Sequence, residues 1–418
     1  MGDSFRRVSN QKSFGGASNP AGSENISLAP VCRVWHAAGH ENSPKDNDMS
    51  LVFNPVTLTK ELVAIPSESS SPLKTDIAEA EKAMAVKLQE LFRAAGVASS
   101  LQDVLPGRQN VIARFPRPGA PRLMITGHMD TVSARMEAHG FSPVVEDGKL
   151  FGRGACDDKG PLAAAICAIL NRRGGTRYDL TFLATVGEED GMHGAKVFAR
   201  ETAGDAPFDL ILALEPTRLK PITAHKGAFR FKITTDGKSC HSSEPWNGIN
   251  AIDRMMPVIE NLNAYGASLS TRHCPRTGFP TLAITRINGG KAVNIIPDAC
   301  EITVDMRTVP GLSDQEIQEA VAGICADNAR MEVLSTYRAL RGEPSGPVWD
   351  AFEDALRSAS LDCRQESAKY CTDCSFLQTL GPCVVWGPGD IAQAHTANEF
   401  IELSQLNGAT AVLAAFLG

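Results

Sequence analysis

No apolar run in this chain reaches the roughly 18 residues that a membrane-spanning helix needs. The longest, Leu162 to Leu170, is too short and reads as a buried helix. Positive charge is also scarce: 41 Lys and Arg stand against 48 Asp and Glu, a formal net charge of −7. That balance excludes a nucleic-acid or anionic-membrane partner. No secretory signal precedes the 11 cysteines. Their odd number fits free, mostly buried thiols in a reducing cytosol, so a cytoplasmic protein is expected. Cys371 and Cys374 have redox or zinc spacing but lack a second such pair and a histidine at finger spacing; two ordinary thiols are expected. The Gly-rich loop 147–160 lacks the GxxxxGK[ST] spacing and carries two acids where phosphates would be repelled, which excludes a phosphate cradle. There is no internal repeat.

Residues 1–48 lack hydrophobic periodicity and are rich in Ser, Gly and Asn, so a disordered, dispensable extension is expected there. Asp3, Glu24 and Glu41 count against a transit peptide, and Arg6 stands where myristoylation needs Ser or Thr. Met49 opens the folded chain. At 418 residues and 43% hydrophobic content, the length suggests two or three domains at ~100–200 residues each, with interior enough to bury ionic groups.

Short apolar runs that end in polar corners organise the rest. Leu180 to Thr185 leads to Gly187, Glu188 and Glu189. Leu123 to Thr126 leads to His128 and Asp130, Leu210 to Leu214 to Glu215, and Val384 to Trp386 to a Gly/Pro turn and His395. Strands alternating with helices, such as the apolar Pro161–Leu170, indicate a largely parallel sheet, and in open α/β sheets ligands bind beyond the carboxyl ends of the strands. After Pro221 the texture changes. Ala228–Thr235, Leu282–Ile287, Cys300–Met306 and Met331–Tyr337 read as strands, the first of them clearly alternating. Asn250–Leu262 and Asp314–Ile324 read as helices. This predicts an α+β layer with one wet sheet face. The expected fold is therefore α/β: a catalytic domain from 49–221 and 341–418, interrupted by a smaller α+β domain at 222–340.

Four probable strand ends delivering His, Asp and Glu supply the ligand types of divalent metals. His128 and Asp130, two apart in extended chain, point the same way, so Asp130 can support a metal-ligating imidazole from behind. Asp157 and Asp158 stand at the tip of a loop folded tightly by Gly152, Gly154 and Gly160, suited to a cation or to bridging two. Glu188 and Glu189 face opposite ways: one can bind metal while the other, left free, moves a proton.

The blocks HMDTV at 128, GRGACDDKG at 152, VGEEDGMHGA at 186, LEPT at 214 and GPGDIAQAH at 387 together resemble the zinc-dependent amidohydrolases of the M20 metallopeptidase family, over roughly 50–418. The resemblance implies two divalent ions, zinc foremost and cobalt as an option. His128 and Glu215 would hold one, Glu189 and His395 the other, and Asp157 would bridge them. Glu188 would be the general base and acid, and Asp130 would orient His128. It also implies a homodimer through the inserted lid and dimerisation domain. In it, His241 would reach the partner's site to support the oxyanion, and Asn294 and Arg307 would grip the substrate carboxylate. The implied reaction is hydrolysis of N2-acetyl-L-ornithine to ornithine and acetate, in arginine biosynthesis. The alternatives are another N-acyl amino acid, succinyl-diaminopimelate or a dipeptide. One departure stands out: Asn398 replaces an acid that many relatives carry, removing a negative charge near the second metal. A silent binding protein would have lost a ligand or the base, and none is missing. A thiol hydrolase using Cys156 lacks a local histidine.

Overall fold

The computed structural model describes residues 52–69, 77–135, 137–172, 174–326 and 329–418; the extension expected at 1–48 lies outside them. The large sheet has nine strands. Its centre runs parallel in the order Asp179–Thr185, Arg122–His128, Leu210–Ala213, Cys383–Val385. Antiparallel strands flank it: Arg108–Phe115 and Ser99–Leu105 on one side, Ile222–His225 and Leu340–Arg341 on the other, where Glu366–Ala368 also pairs, parallel to Ile222–His225. The fold is α/β with a mixed sheet, parallel where it matters for the site.

The central strands are buried along nearly their whole length. This is why they read as unbroken apolar runs rather than alternating ones. Helices cover both faces. Pro55–Val63, Ile77–Ala94, Lys159–Leu170, Pro347–Ser358 and Leu403–Leu417 build one core, in which Phe92, Phe182, Phe352, Trp386 and Phe416 pack. His193–Glu201 and Cys374–Leu377 close the other. The helix Lys159–Leu170 is apolar all round because it is enclosed all round; only Leu170 escapes full burial. It starts two residues before the expected Pro161, which still falls in the first turn, where amides have no intrahelical acceptor.

A second sheet has the order Thr281–Gly289, Ala299–Thr308, Gly227–Asp236, Ala329–Tyr337, antiparallel throughout. Gly227–Asp236 and Ala299–Thr308 alternate buried with part-buried positions. Their inner side chains, among them Phe229, Phe231, Ile302 and Val304, meet Met255, Leu262, Ile317 and Val321 from Ala251–Ser268 and Asp314–Cys325. Asn250 caps the first helix, and Ser313 with Glu316 forms a capping box on the second. Ile222–His225 belongs to the large sheet, although it lies just past residue 221, where the sequence texture changes. A small unforeseen sheet, Phe400–Glu402 with Lys149–Phe151 and Val144–Glu146, brings the end of the chain to the Gly152–Gly160 loop.

Candidate metal and catalytic site

All four central strands deliver polar residues at one edge of the sheet. His128 is the last residue of its strand, and its Nε2 lies 2.9 Å from Asp157 Oδ1. His395 Nε2 lies 2.8 Å from Glu189 Oε1 and 3.5 Å from Asp157 Oδ2. Among the described residues, His128, Asp157 and Glu215 can each offer one ligand atom within 4.8 Å of the others, and so can Asp157, Glu189 and His395. Asp157 is common to both groups. The five side chains expected to converge do so.

The donor set is imidazole nitrogen and carboxylate oxygen only, which suits divalent cations. Its electrostatics ask for them. Burial, followed by the nearby charges of Asp157 and Glu188, pushes the Glu215 carboxyl well above the usual range. Glu189 is also raised, by burial against the opposing hydrogen bond from His395. For Asp157, burial is outweighed by the hydrogen bond and charge of His128 and the charge of His395, which hold it low. Crowded buried acids are costly unless positive charge neutralises them.

Asp130 is fully buried and stands against the His128 ring through both its backbone and its side chain. His128 Nδ1 lies 2.9 Å from the Asp130 backbone carbonyl and 3.6 Å from its carboxylate. The carboxylate also accepts the backbone amides of Glu188 and Glu189, both at 3.1 Å. The reason is local: the chain turns after Thr185, and the turn's amides need acceptors. One residue thus ties the first imidazole to the acid pair. Gly127 is required beside it, because a Cβ there would sit 2.4 Å from Asp158 Oδ2.

Two further supports were not legible in the sequence. Glu81, from Ile77–Ala94, accepts the Gly187 amide at 3.1 Å and an Arg108 Nη2 bond at 2.8 Å, while Arg108 also holds Asp190 at 2.9 Å. The acid turn is therefore pinned at Gly187, at Asp190 and, through Asp130, in between. Burial outweighs the Arg108 hydrogen bond and lifts Glu81 to about 7. Arg108→Ala would leave a buried carboxyl without its partner and is expected to cost about 3–5 kcal/mol, read from chemical denaturation; a change within error would show that the clamp is dispensable. The second support is Glu399, fully buried. It accepts the amides of Cys156 at 2.9 Å and Asp157 at 3.0 Å, and pairs with Arg153 at 2.5 Å. It holds the loop that presents Asp157, whereas Asn398 beside it faces solvent. Neither support has a local signal, since the partners lie on distant elements.

His241, Asn294 and Arg307 sit on the smaller layer. His241 is exposed, with Nδ1 2.7 Å from Ser243 Oγ; it neighbours Asn294, whose carbonyl accepts the Ser242 amide at 3.0 Å. Arg307 donates to Asp305 at 2.7 Å. Among the described residues no hydrogen bond or ion pair joins these three to the metal-ligand cluster. Cys156 is buried, and burial pushes its thiol well above the ordinary value, the wrong direction for a nucleophile. Cys371 and Cys374 are free thiols.

The domain of peptidase family M20/M25/M40 matches residues 124–418. An acetylornithine deacetylase from Proteus mirabilis is 34% identical, over 84% of this chain and 92% of its own. The chain belongs to that peptidase family. It is accordingly a hydrolase of amide bonds. Two solved structures share the fold of this M20 protein. A metallo-carboxypeptidase of the family from Sulfolobus solfataricus has a TM-score of 0.70 at 17% identity, covering 87% of this chain and 98% of its own. A dinuclear metal-binding M20 peptidase from Bacillus subtilis has a TM-score of 0.62 at 18% identity, covering 87% and 96%. Among the described residues, no helix of the M20 chain is long and apolar enough to cross a membrane.

Proposed function

We propose that this M20 hydrolase is a two-metal deacylase that releases acetate from N2-acetyl-L-ornithine, a step of arginine biosynthesis in the cytosol. The observation that carries the reading is Asp157, shared by two groups of potential ligands. His128 and Glu215 would hold one divalent ion, Glu189 and His395 the other, and Asp157 would serve both; zinc suits these donors, and cobalt does too. Bound there, such ions would supply Lewis-acid polarisation of the acyl oxygen and an acidified water.

The chain's own residues do the rest. Glu188 takes the proton of the attacking water and passes it to the leaving amine. Burial pushes the Glu188 carboxyl well above the usual range, the direction that favours carrying a proton. Asp130, through the amides it accepts, keeps Glu188 and Glu189 apart in their roles. Asn294 and Arg307 hold the substrate carboxylate, and the planar guanidinium meets it with two hydrogen bonds. His241 from a second copy supports the oxyanion, worth about 3–4 kcal/mol for one donor. Its exposure, with Trp246 at 76% and Ile287 at 58% exposed on the same layer, supports a homodimer through a 222–340 lid and dimerisation domain, set into a catalytic domain of 49–221 and 341–418.

A ninhydrin assay over a panel of N-acyl amino acids and dipeptides tests the substrate. Acetylornithine is expected to have the highest kcat/KM. Faster turnover of succinyl-diaminopimelate or a dipeptide would replace the substrate while leaving the chemistry intact.

A further inference from the structure

Tyr370 carries a hydroxyl that nothing satisfies. Its oxygen is shut off from solvent and, among the described residues, has no hydrogen-bond partner. Buried hydroxyls ordinarily find one. A phenol also keeps its proton at neutral pH, so an idle donor stands here. After burial itself, the strongest influences on this hydroxyl are the charges of Glu215 and Asp157. Those are the two carboxylates of the group that also contains His128.

The segment around it is fastened at nearly every step. Ala368 pairs with His225 on the large sheet. The Cys371 thiol donates to the Lys226 carbonyl at 3.2 Å. Thr185 Oγ1 donates to Asp373 Oδ2 at 2.7 Å. Thr372 Oγ1 lies 3.2 Å from His225 Nε2. Burial lowers the His225 imidazole to about 4, so the ring is neutral. Its Nδ1, 2.8 Å from the Lys226 carbonyl, must carry the proton, which leaves Nε2 to accept the Thr372 hydroxyl. The Tyr370 ring packs against the core that His193–Glu201 and Cys374–Leu377 close. Its hydroxyl is therefore fixed beside the ligand cluster, with no second acceptor to turn to. Glu188 meets that cluster elsewhere: after burial it responds to His128, Asp373 and Glu189.

We propose that Tyr370 is a catalytic residue of this hydrolase, its hydroxyl donating a hydrogen bond to the oxygen of the scissile acyl group. This rests on the deacylase reading and deepens it. When water adds to the acyl carbon, the π pair of the carbonyl moves onto that oxygen and negative charge builds there. The phenol keeps its proton throughout; only its hydrogen bond strengthens. When the C–N bond breaks, the pair returns to the carbonyl and Glu188 supplies the proton of the leaving amine. A donor fixed beforehand, with no other bond to give up, needs no reorganisation at the moment of reaction. Unlike His241 in the reading above, Tyr370 belongs to the same chain as the ligands, so the acyl oxygen has a donor before a second copy contributes one.

Tyr370→Phe tests it, because one oxygen is removed and the ring stays in its core. Steady-state kinetics should show kcat lowered by about 10²–10³-fold, the range for one such donor, with little change in KM and the same metal content. Binding gives a second readout. In metal-loaded Glu188→Gln protein, calorimetry would compare N2-acetyl-L-ornithine with an analogue in which a methylphosphonyl group, tetrahedral and anionic, replaces the acetyl. Adding Tyr370→Phe should weaken the analogue at least ~10-fold and the planar substrate by less than about 3-fold, since the bond belongs to the charged tetrahedral state. An unchanged kcat, an equal loss for both ligands, or loss of metal from the variant would overturn the proposal. Wild-type turnover keeps the two readings apart. A wild type that hydrolyses no N-acyl amino acid refutes the deacylase. A wild type that does, matched in kcat by Tyr370→Phe, refutes the role of Tyr370 alone.

Discussion

Glu188→Gln is expected to lower kcat by about 10²–10⁴-fold, the range that a positioned proton-transfer group contributes, with metal content unchanged. The substitution keeps shape and keeps the backbone amide that Asp130 accepts at 3.1 Å. What it removes is the ability to carry a proton. Glu188 also stands outside both groups of potential ligands, so elemental analysis should find the same metal stoichiometry in the variant and the wild type. Steady-state kinetics at saturating substrate would report the loss as a fall in kcat with little change in KM, because the group acts in the transition state. Near-normal turnover would remove Glu188 from the mechanism. Loss of metal with loss of rate would make it a ligand instead.

Asp157→Ala should have the other large effect, and a different signature. His128 Nε2 stands 2.9 Å from one Asp157 oxygen and His395 Nε2 3.5 Å from the other, so its removal weakens both ion sites together. Both ions are expected to be lost on dialysis, and activity with them. Forfeiting Lewis-acid stabilisation of about 4 kcal/mol corresponds to roughly 10³-fold in rate at ~1.36 kcal/mol per decade. Glu215→Gln, by contrast, touches one group only and should reduce the metal count by about one ion per chain. Metal analysis after exhaustive dialysis checks both. An Asp157→Ala protein that retained two ions would mean that the ions sit elsewhere.

Much of this site could be read from residues alone because each ligand is announced locally. The runs before His128, Glu188 and Glu215 are apolar and end abruptly in acids or imidazole, as buried central strands must when they reach the sheet's edge. In the smaller layer, the strand Ala228–Thr235 and the helix Asp314–Ile324 were legible to within a residue at each end, the strand because a half-exposed strand alternates. The supports are another matter. Nothing near Glu81 or Arg108 says that they will meet Asp190, and nothing near Glu399 says that it will hold amides of the Cys156–Asp157 loop. These are contacts between elements far apart in sequence, visible only once packing is known. Asp130 shows a subtler limit. Its spacing from His128 was informative, yet nothing in that spacing says that its carboxylate will also accept two backbone amides from the turn that follows Thr185.

Glu399 grips the Cys156 amide across 243 residues of chain, and His395 meets Glu189 across 206. During synthesis, the strands that lead to His128, Glu188 and Glu215 leave the ribosome long before either. A nascent chain can therefore build most of the large sheet while its second imidazole and the anchor of the Asp157 loop are still untranslated. The group of Asp157, Glu189 and His395 is therefore complete only once residue 395 has been made.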